Sequence, residues 1–287
     1  MALPEDGGAV MVIGISSPIS IGEVVPHLDN ASQRVARGIR GLLAPAVDAF
    51  VLQLLRQGHE VVVFTLDTSI GSPVILTGPR LRVYVGRYRR NAKWRSLTFF
   101  YSEICALRSF IRAEKGRLDV LHAQWSYEFA IAALSARCPV FCTIRDIAEE
   151  VFRLMPDPYR LIRRLMNDYV LLWKRVRFVA NSPYTAERIL HYHPSLSICA
   201  VVPNPCGIPV KETAFAGLEK CSPPVIVSIS QSLGRLKNIR TLSEAFRLVR
   251  IEVPDAELHL VGGEFSPDKC GGTFAADGVV LCGAILA

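Results

Sequence analysis

The chain has 287 residues, half of them hydrophobic (50%), with 33 basic against 26 acidic side chains and a formal charge of +7. That length lies where single cores begin to divide, so two domains are expected, and the positive charge favours nucleotides, phosphates or acidic lipid heads without choosing among them. No apolar run approaches the roughly 20 residues that span a bilayer, because Pro45, Asp48 and Gln53 interrupt residues 42–55. Glu5 and Asp6 stand where a secretory leader carries positive charge, which predicts a cytoplasmic protein. The cysteines (Cys105, Cys138, Cys142, Cys199, Cys206, Cys221, Cys270 and Cys282) show no paired ligand spacing, so buried reduced thiols are expected and a metal is not.

Residues 10–17 form an apolar run of strand length, 46–57 a helical pattern ending at Gly58, and 60–66 a second strand. The connection from Gly22 to Pro45 is longer than a usual strand-to-helix loop and predicts its own helix over 31–43. Residues 81–85 read as strand, 97–115 as a helix stopping at Gly116, then 119–123, 139–144 and 177–180 as strands. Asp157 and Pro158 open a helix whose buried stripe is expected at Leu161, Ile162, Leu165, Tyr169, Leu172 and Val176. Ser182 and Pro183 open the next helix, followed by a strand over 198–202. The run Pro203-Asn204-Pro205-Cys206-Gly207-Ile208-Pro209 breaks regular structure and sets domains of 1–205 and 206–287. A strand over 225–230, a loop carrying Lys237, an amphipathic helix, a strand over 257–261 ending in Gly262 and Gly263, and a strand over 279–282 complete the pattern.

Strands alternating with helices imply doubly wound parallel sheets covered on both faces. Right-handed crossovers place the loops after Ser17, Ala123, Ile144 and Ala180 on one rim, where ligands of open α/β sheets bind. Lys237 occupies the corresponding position of the second unit and is suited to a phosphate. No glycine triplet follows residues 10–15 and no glycine-lysine-serine turn occurs, which disfavours dinucleotide dehydrogenases and P-loop enzymes.

The chain resembles glycosyltransferases of the GT-B fold, in particular the retaining family 4 that uses nucleotide-sugar donors. The resemblance rests on Lys237-Asn238, the segment from Leu242 to Phe246, Pro254-Asp255-Ala256-Glu257-Leu258 and Val261-Gly262. In the first half it rests on Gly58-His59-Glu60-Val61, Asp119-Val120-Leu121-His122-Ala123-Gln124-Trp125, Asn181-Ser182 and Val202-Pro203-Asn204. It implies two Rossmann-like doubly wound domains, an acceptor-side one first and a donor-binding one second. Their partners would be a nucleoside diphosphate sugar and a carbohydrate or lipid-linked acceptor, with no cofactor, metal or nucleic acid. The donor side implied is Lys237, Asn238, Arg235, Gly262 and Gly263, with Lys237 on the diphosphate; its other reading is a solvated surface lysine. The acceptor side implied is Ser17, Gly22 and His122, His122 being equally readable as a packed strand residue.

Several positions depart from the family pattern. Ser232 stands where relatives have an arginine; either Arg235 reaches the phosphate from a differently shaped loop or one positive contact is missing. Arg145 replaces a histidine before Asp146 in the candidate active-site loop, and Gln124 replaces another. Arg145 is no base at neutral pH but binds phosphates and carboxylates; its alternative is an ion pair with Asp146 or Glu149. The sequence stops at Ala287, before the family's paired-glutamate segment, so a truncated second domain with impaired transfer is expected. The rival reading is a catalytically silent, glycosyltransferase-like binding or scaffold protein. Seven basic residues and no acid between Arg80 and Arg95, interleaved with Tyr84, Tyr88 and Trp94, read either as a solvated cationic face or as a peripheral contact with an anionic membrane at its inner face.

Overall fold

The computed structural model describes residues 9–205, 222–230, 234–265 and 277–283. The chain divides into two compact units, Met1–Pro209 and Val210–Ala287. Ser232, Cys206, Cys221, Cys270 and the last residues, 284–287, lie outside the described residues.

The first unit carries β1 (Val12–Ser16), β2 (Glu60–Asp67), β3 (Val74–Thr77), β4 (Leu81–Arg87), β5 (Val120–Gln124), β6 (Val140–Ile144), β7 (Val176–Ala180) and β8 (Ile198–Val201). They form one eight-stranded sheet in the order β3-β4-β2-β1-β5-β6-β7-β8. Every pairing is parallel except that of β3 with β4. Parallel strands need both faces covered, and β2 shows how. Its Val62, Phe64 and Leu66 enter one core layer while Val61 and Val63 enter the other. Each fully buried aliphatic or aromatic side chain contributes about 1.5–3 kcal/mol, so the two layers hold the sheet in place.

The helices are α1 (Ile21–Val24), α2 (Asn30–Ala36), α3 (Pro45–Arg56), α4 (Ala92–Leu97), α5 (Tyr101–Ala113), α6 (Glu128–Ala133), α7 (Ala148–Leu154), α8 (Pro158–Leu171) and α9 (Pro183–Tyr192). Punctuation expected from sequence operates as chemistry here. The Asp157 side chain accepts from the Arg160 N–H at 2.9 Å and Ser182 Oγ from the Thr185 N–H at 3.0 Å, each satisfying an orphan amide of a helix start. Gly58 and Gly116 terminate their helices at φ of +89° and +78°, a conformation that costs other residues a Cβ clash.

The second unit holds β9 (Val225–Ile229), a 3-10 turn at Arg235–Lys237, α10 (Ile239–Glu252), β10 (Glu257–Val261) and β11 (Val279–Gly283). Its parallel sheet has the order β11-β10-β9. Ile239 and Phe246 of α10 pack with Leu258, Leu260 and Phe265 to make its core.

Several expectations need correction. The helix foreseen over 31–43 is shorter, α2, and Gly41 instead bridges to Ser20. The helix foreseen over 97–115 is α5, which starts only at Tyr101 because Phe99 and Phe100 take positive φ of 49° and 55°, and the separate helix α4 ends at Leu97. Of the stripe expected on α8, Ile162 packs partly buried against the core, but Leu161, Leu165, Tyr169 and Leu172 are exposed, and Met166, Asn167 and Val170 are the buried residues. Val176 is buried, but within β7. Among the cysteines, Cys142 is buried and Cys199 exposed. The basic run is not one face, since Arg80 and Arg82 lie at the start of β4, Arg87 is its last residue, and Arg89 and Arg90 follow that far end. No helix among the described residues is long and apolar enough to cross a membrane.

Candidate functional site

Adjacency of β1, β5, β6 and β7 brings their carboxyl ends together, and backbone hydrogen bonds continue across the exits. Ser17 donates to the Phe64 carbonyl at 3.1 Å, Trp125 to Thr143 at 3.0 Å, Asn181 to Ile144 at 3.3 Å and Val202 to Ala180 at 2.8 Å. The loops after these strands therefore share a rim, as the alternation predicted. Trp125 turns there with φ of +65°, a left-handed conformation rare for a bulky residue.

Arg145 is the focus of that rim. Its Nε and Nη2 donate to Gln124 Oε1 at 2.9 and 2.8 Å, its Nη1 donates to Asn204 Oδ1, and its guanidinium carbon lies 5.1 Å from the Trp125 ring centroid. All these partners are neutral. The ion pairs weighed for it from sequence do not form: Asp146 accepts from Tyr127, and Glu149 pairs with His193. No carboxylate among the described residues balances Arg145, and burial pushes its pKa down, the mark of a desolvated cation without a counterion.

The arginine also sets the state of His122. Because Gln124 Oε1 faces Arg145, its Nε2 is turned toward His122 Nε2, 3.4 Å away, and Thr143 Oγ1 approaches the same nitrogen at 2.7 Å. Nε2 therefore accepts, and the ring proton resides on Nδ1. Burial, followed by the charge of Arg145, lowers the His122 pKa to about 4. The ring lies edge-on to Phe50, with centroids 5.5 Å apart, as a packed member of β5.

Asp146 points to a second network. Its Oδ2 accepts from the Tyr127 hydroxyl at 2.9 Å, its Oδ1 is buried without a hydrogen bond, and burial raises its pKa. Arg163, from α8, lies 3.7 Å from the Tyr127 ring centroid and donates to Glu128 Oε2 at 2.7 Å. Burial, the largest single influence, acts to lower its pKa, but the charge of Glu128 together with Tyr159, Tyr127 and Tyr88 outweighs it and the net shift is upward. Of the acceptor-side residues expected from sequence, Ser17 is buried with its hydroxyl donating to the Pro18 carbonyl at 2.7 Å, while Gly22 is an exposed residue of α1. Sequence reasoning missed the roles of Gln124, Tyr127, Arg163 and Asn204; the polar Gln124 at the end of an apolar strand was the available signal.

On the same carboxyl edge, beyond β2 and β4, opens a cleft of about 690 Å³ lined by Thr68, Ser69, Arg87, Arg90, Asn91 and Trp94 among others. Arg89, which also borders it, is held by Glu103 at 2.8 Å, whereas Arg87 and Arg90 are exposed.

In the second unit Gly262 takes φ of +149°, and a Cβ there would lie 1.7 Å from the Ser230 carbonyl oxygen. Only glycine lets the exit of β10 close onto the exit of β9, whose continuation carries Lys237. Arg235 and Lys237 share one exposed 3-10 turn, two residues apart, so their side chains leave its axis about 120° apart. Asn238 takes a left-handed φ of 50° and caps the turn by donating its N–H to the Arg235 carbonyl at 3.2 Å. Gly263 follows with open space where a Cβ would stand.

A large, mostly parallel eight-stranded sheet and a second parallel sheet with a lysine-bearing turn define a GT-B-type α/β protein. Solved structures share the fold. The α,α-trehalose 6-phosphate synthase from Burkholderia multivorans aligns with TM-score 0.57 and 13% identity, covering 98% of this chain and 73% of that one. The UDP-forming α,α-trehalose-phosphate synthase from Burkholderia vietnamiensis aligns at 0.53 and 13%, covering 93% and 68%. An E. coli structure described as trehalose-6-phosphate bound with UDP-2-fluoro glucose aligns at 0.59 and 9%, covering 96% and 74%. No curated protein matches the chain. The model of Glycosyltransferase Family 4 matches residues 46–207, more than half the sequence, and the chain belongs to that family.

Proposed function

We propose that this protein transfers a sugar, with retention, from a nucleoside diphosphate sugar to an acceptor carrying a phosphate. Arg145 carries the reading. It is a desolvated guanidinium on the ligand-binding rim, fixed by Gln124 and Asn204 and balanced by no carboxylate among the described residues. A planar, pre-oriented fork of donors suits the oxygens of a phosphate, and binding one there would supply the missing counter-charge. The description of the similar Burkholderia proteins as trehalose-phosphate synthases supports a sugar phosphate as the acceptor.

On the second unit Lys237, with Arg235 in the same turn, would neutralise the donor diphosphate as charge builds on the leaving group. Gly262 and Gly263 would let that backbone approach the ligand closely. Asp146 and Tyr127 would orient the loop that holds Arg145.

The test is transfer from UDP-glucose or GDP-mannose to glucose 6-phosphate, followed by mass spectrometry of the phosphorylated disaccharide and by NMR of its anomeric centre. Arg145→Ala should raise the acceptor KM by about tenfold or more, since losing one charge-assisted contact costs about 1.5–3 kcal/mol, and leave donor KM unchanged. Equal use of glucose and glucose 6-phosphate, or an unmoved acceptor KM in Arg145→Ala, would overturn the assignment.

A further inference from the structure

Away from the rim, three consecutive helical segments converge on one cluster. Glu149 from α7, Asp168 from α8 and His193, which ends α9, each offer one ligand atom, and these atoms all lie within 4.8 Å of one another. His193 Nε2 is 2.6 Å from Glu149 Oε1 and 3.9 Å from Asp168 Oδ1. Glu149 is 4% exposed, and its other oxygen, Oε2, is buried without any hydrogen-bond partner. An uncompensated carboxylate oxygen in that position is costly unless a cation reaches it. Asp168 lies 36% and His193 25% open to solvent, which gives the cluster an entry side.

We infer that Glu149, Asp168 and His193 form a binding site for a divalent transition-metal ion of the zinc type. One imidazole nitrogen and two carboxylates are a donor set that zinc accepts, with a fourth position open to water. Ligand atoms about 2.0–2.1 Å from a tetrahedral ion stand about 3.3 Å apart, between the two separations seen here, so small side-chain rotations suffice. Two carboxylates match the charge of a divalent ion, whereas a protonated imidazole offers only one positive charge. The surrounding cations leave room for it: Arg164 addresses the other Asp168 oxygen from 3.9 Å, Arg188 is held by Glu150, and Arg153 donates to Tyr192 at 3.3 Å. The ion would pin α7, which opens directly behind the Arg145-Asp146 loop, to α8 and α9.

Isothermal titration of the whole chain with zinc chloride under reducing conditions tests this, repeated on Asp168→Asn and His193→Gln. One saturable site per chain is expected, weakened at least tenfold in each variant, and a cobalt-loaded sample should show ligand-field bands without thiolate charge transfer. No saturable binding, affinity unchanged in Asp168→Asn, or a thiolate band would each overturn the site. Asp168 is partly exposed, so that variant, checked by circular dichroism, decides the matter even where His193→Gln unfolds.

Discussion

At the scale of single residues, His122 carries the clearest pH signature. An unfolded histidine takes up a proton near 6.5, but the folded one does so only near 4, because burial and Arg145 oppose its charge. Stability from this residue is complete above pH 6.5 and is lost as pH falls from 6.5 to about 4, on the order of 3 kcal/mol in all. His122→Asn should flatten that part of the stability curve, measured by urea unfolding at stepped pH; an unchanged slope would show that another group titrates. Little of this environment was legible from sequence. Arg145 could be recognised as a rim residue, but its partners Gln124 and Asn204 lie 21 and 59 positions away, so its neutral surroundings emerge only when strands align.

At the scale of elements, local punctuation was legible and burial direction was not. Caps and stops act within a few residues, so Asp157, Ser182 and Gly58 could be read directly. α6 escaped notice because Glu128–Ala133 is buried on every side and shows no amphipathic period, and β3 because it is a four-residue antiparallel edge. α8 has apolar residues on two stripes, and the core chose Met166 and Val170 over Leu165 and Leu172. Val170→Ala should therefore cost about 1–3 kcal/mol, whereas Leu172→Ser, at 77% exposure, should stay within about 0.5 kcal/mol. Thermal unfolding of both variants checks the assignment, and the reverse order would restore the stripe expected from sequence.

At the scale of the whole molecule, two cores of different extent stand in one chain. The first unit has two layers of buried side chains around eight strands, while the described core of the second rests on Ile239, Phe246, Ala256, Leu258, Leu260 and Phe265. Smaller cores open more readily, so amide exchange at Leu258 and Leu260 should be faster than at Ile15 and Leu121, as read by mass spectrometry of fragments. Equal protection would mean that the second unit draws stability from beyond its own described core.

The bond from Arg145 to Asn204 joins the candidate loop to the segment leaving β8. A guanidinium carries five N–H donors and the bonds to Gln124 and Asn204 occupy three, so two are left for an oxyanion. The two neutral amides thus serve as a mount: they aim the cation without cancelling its charge, and leave that charge for whatever anion arrives.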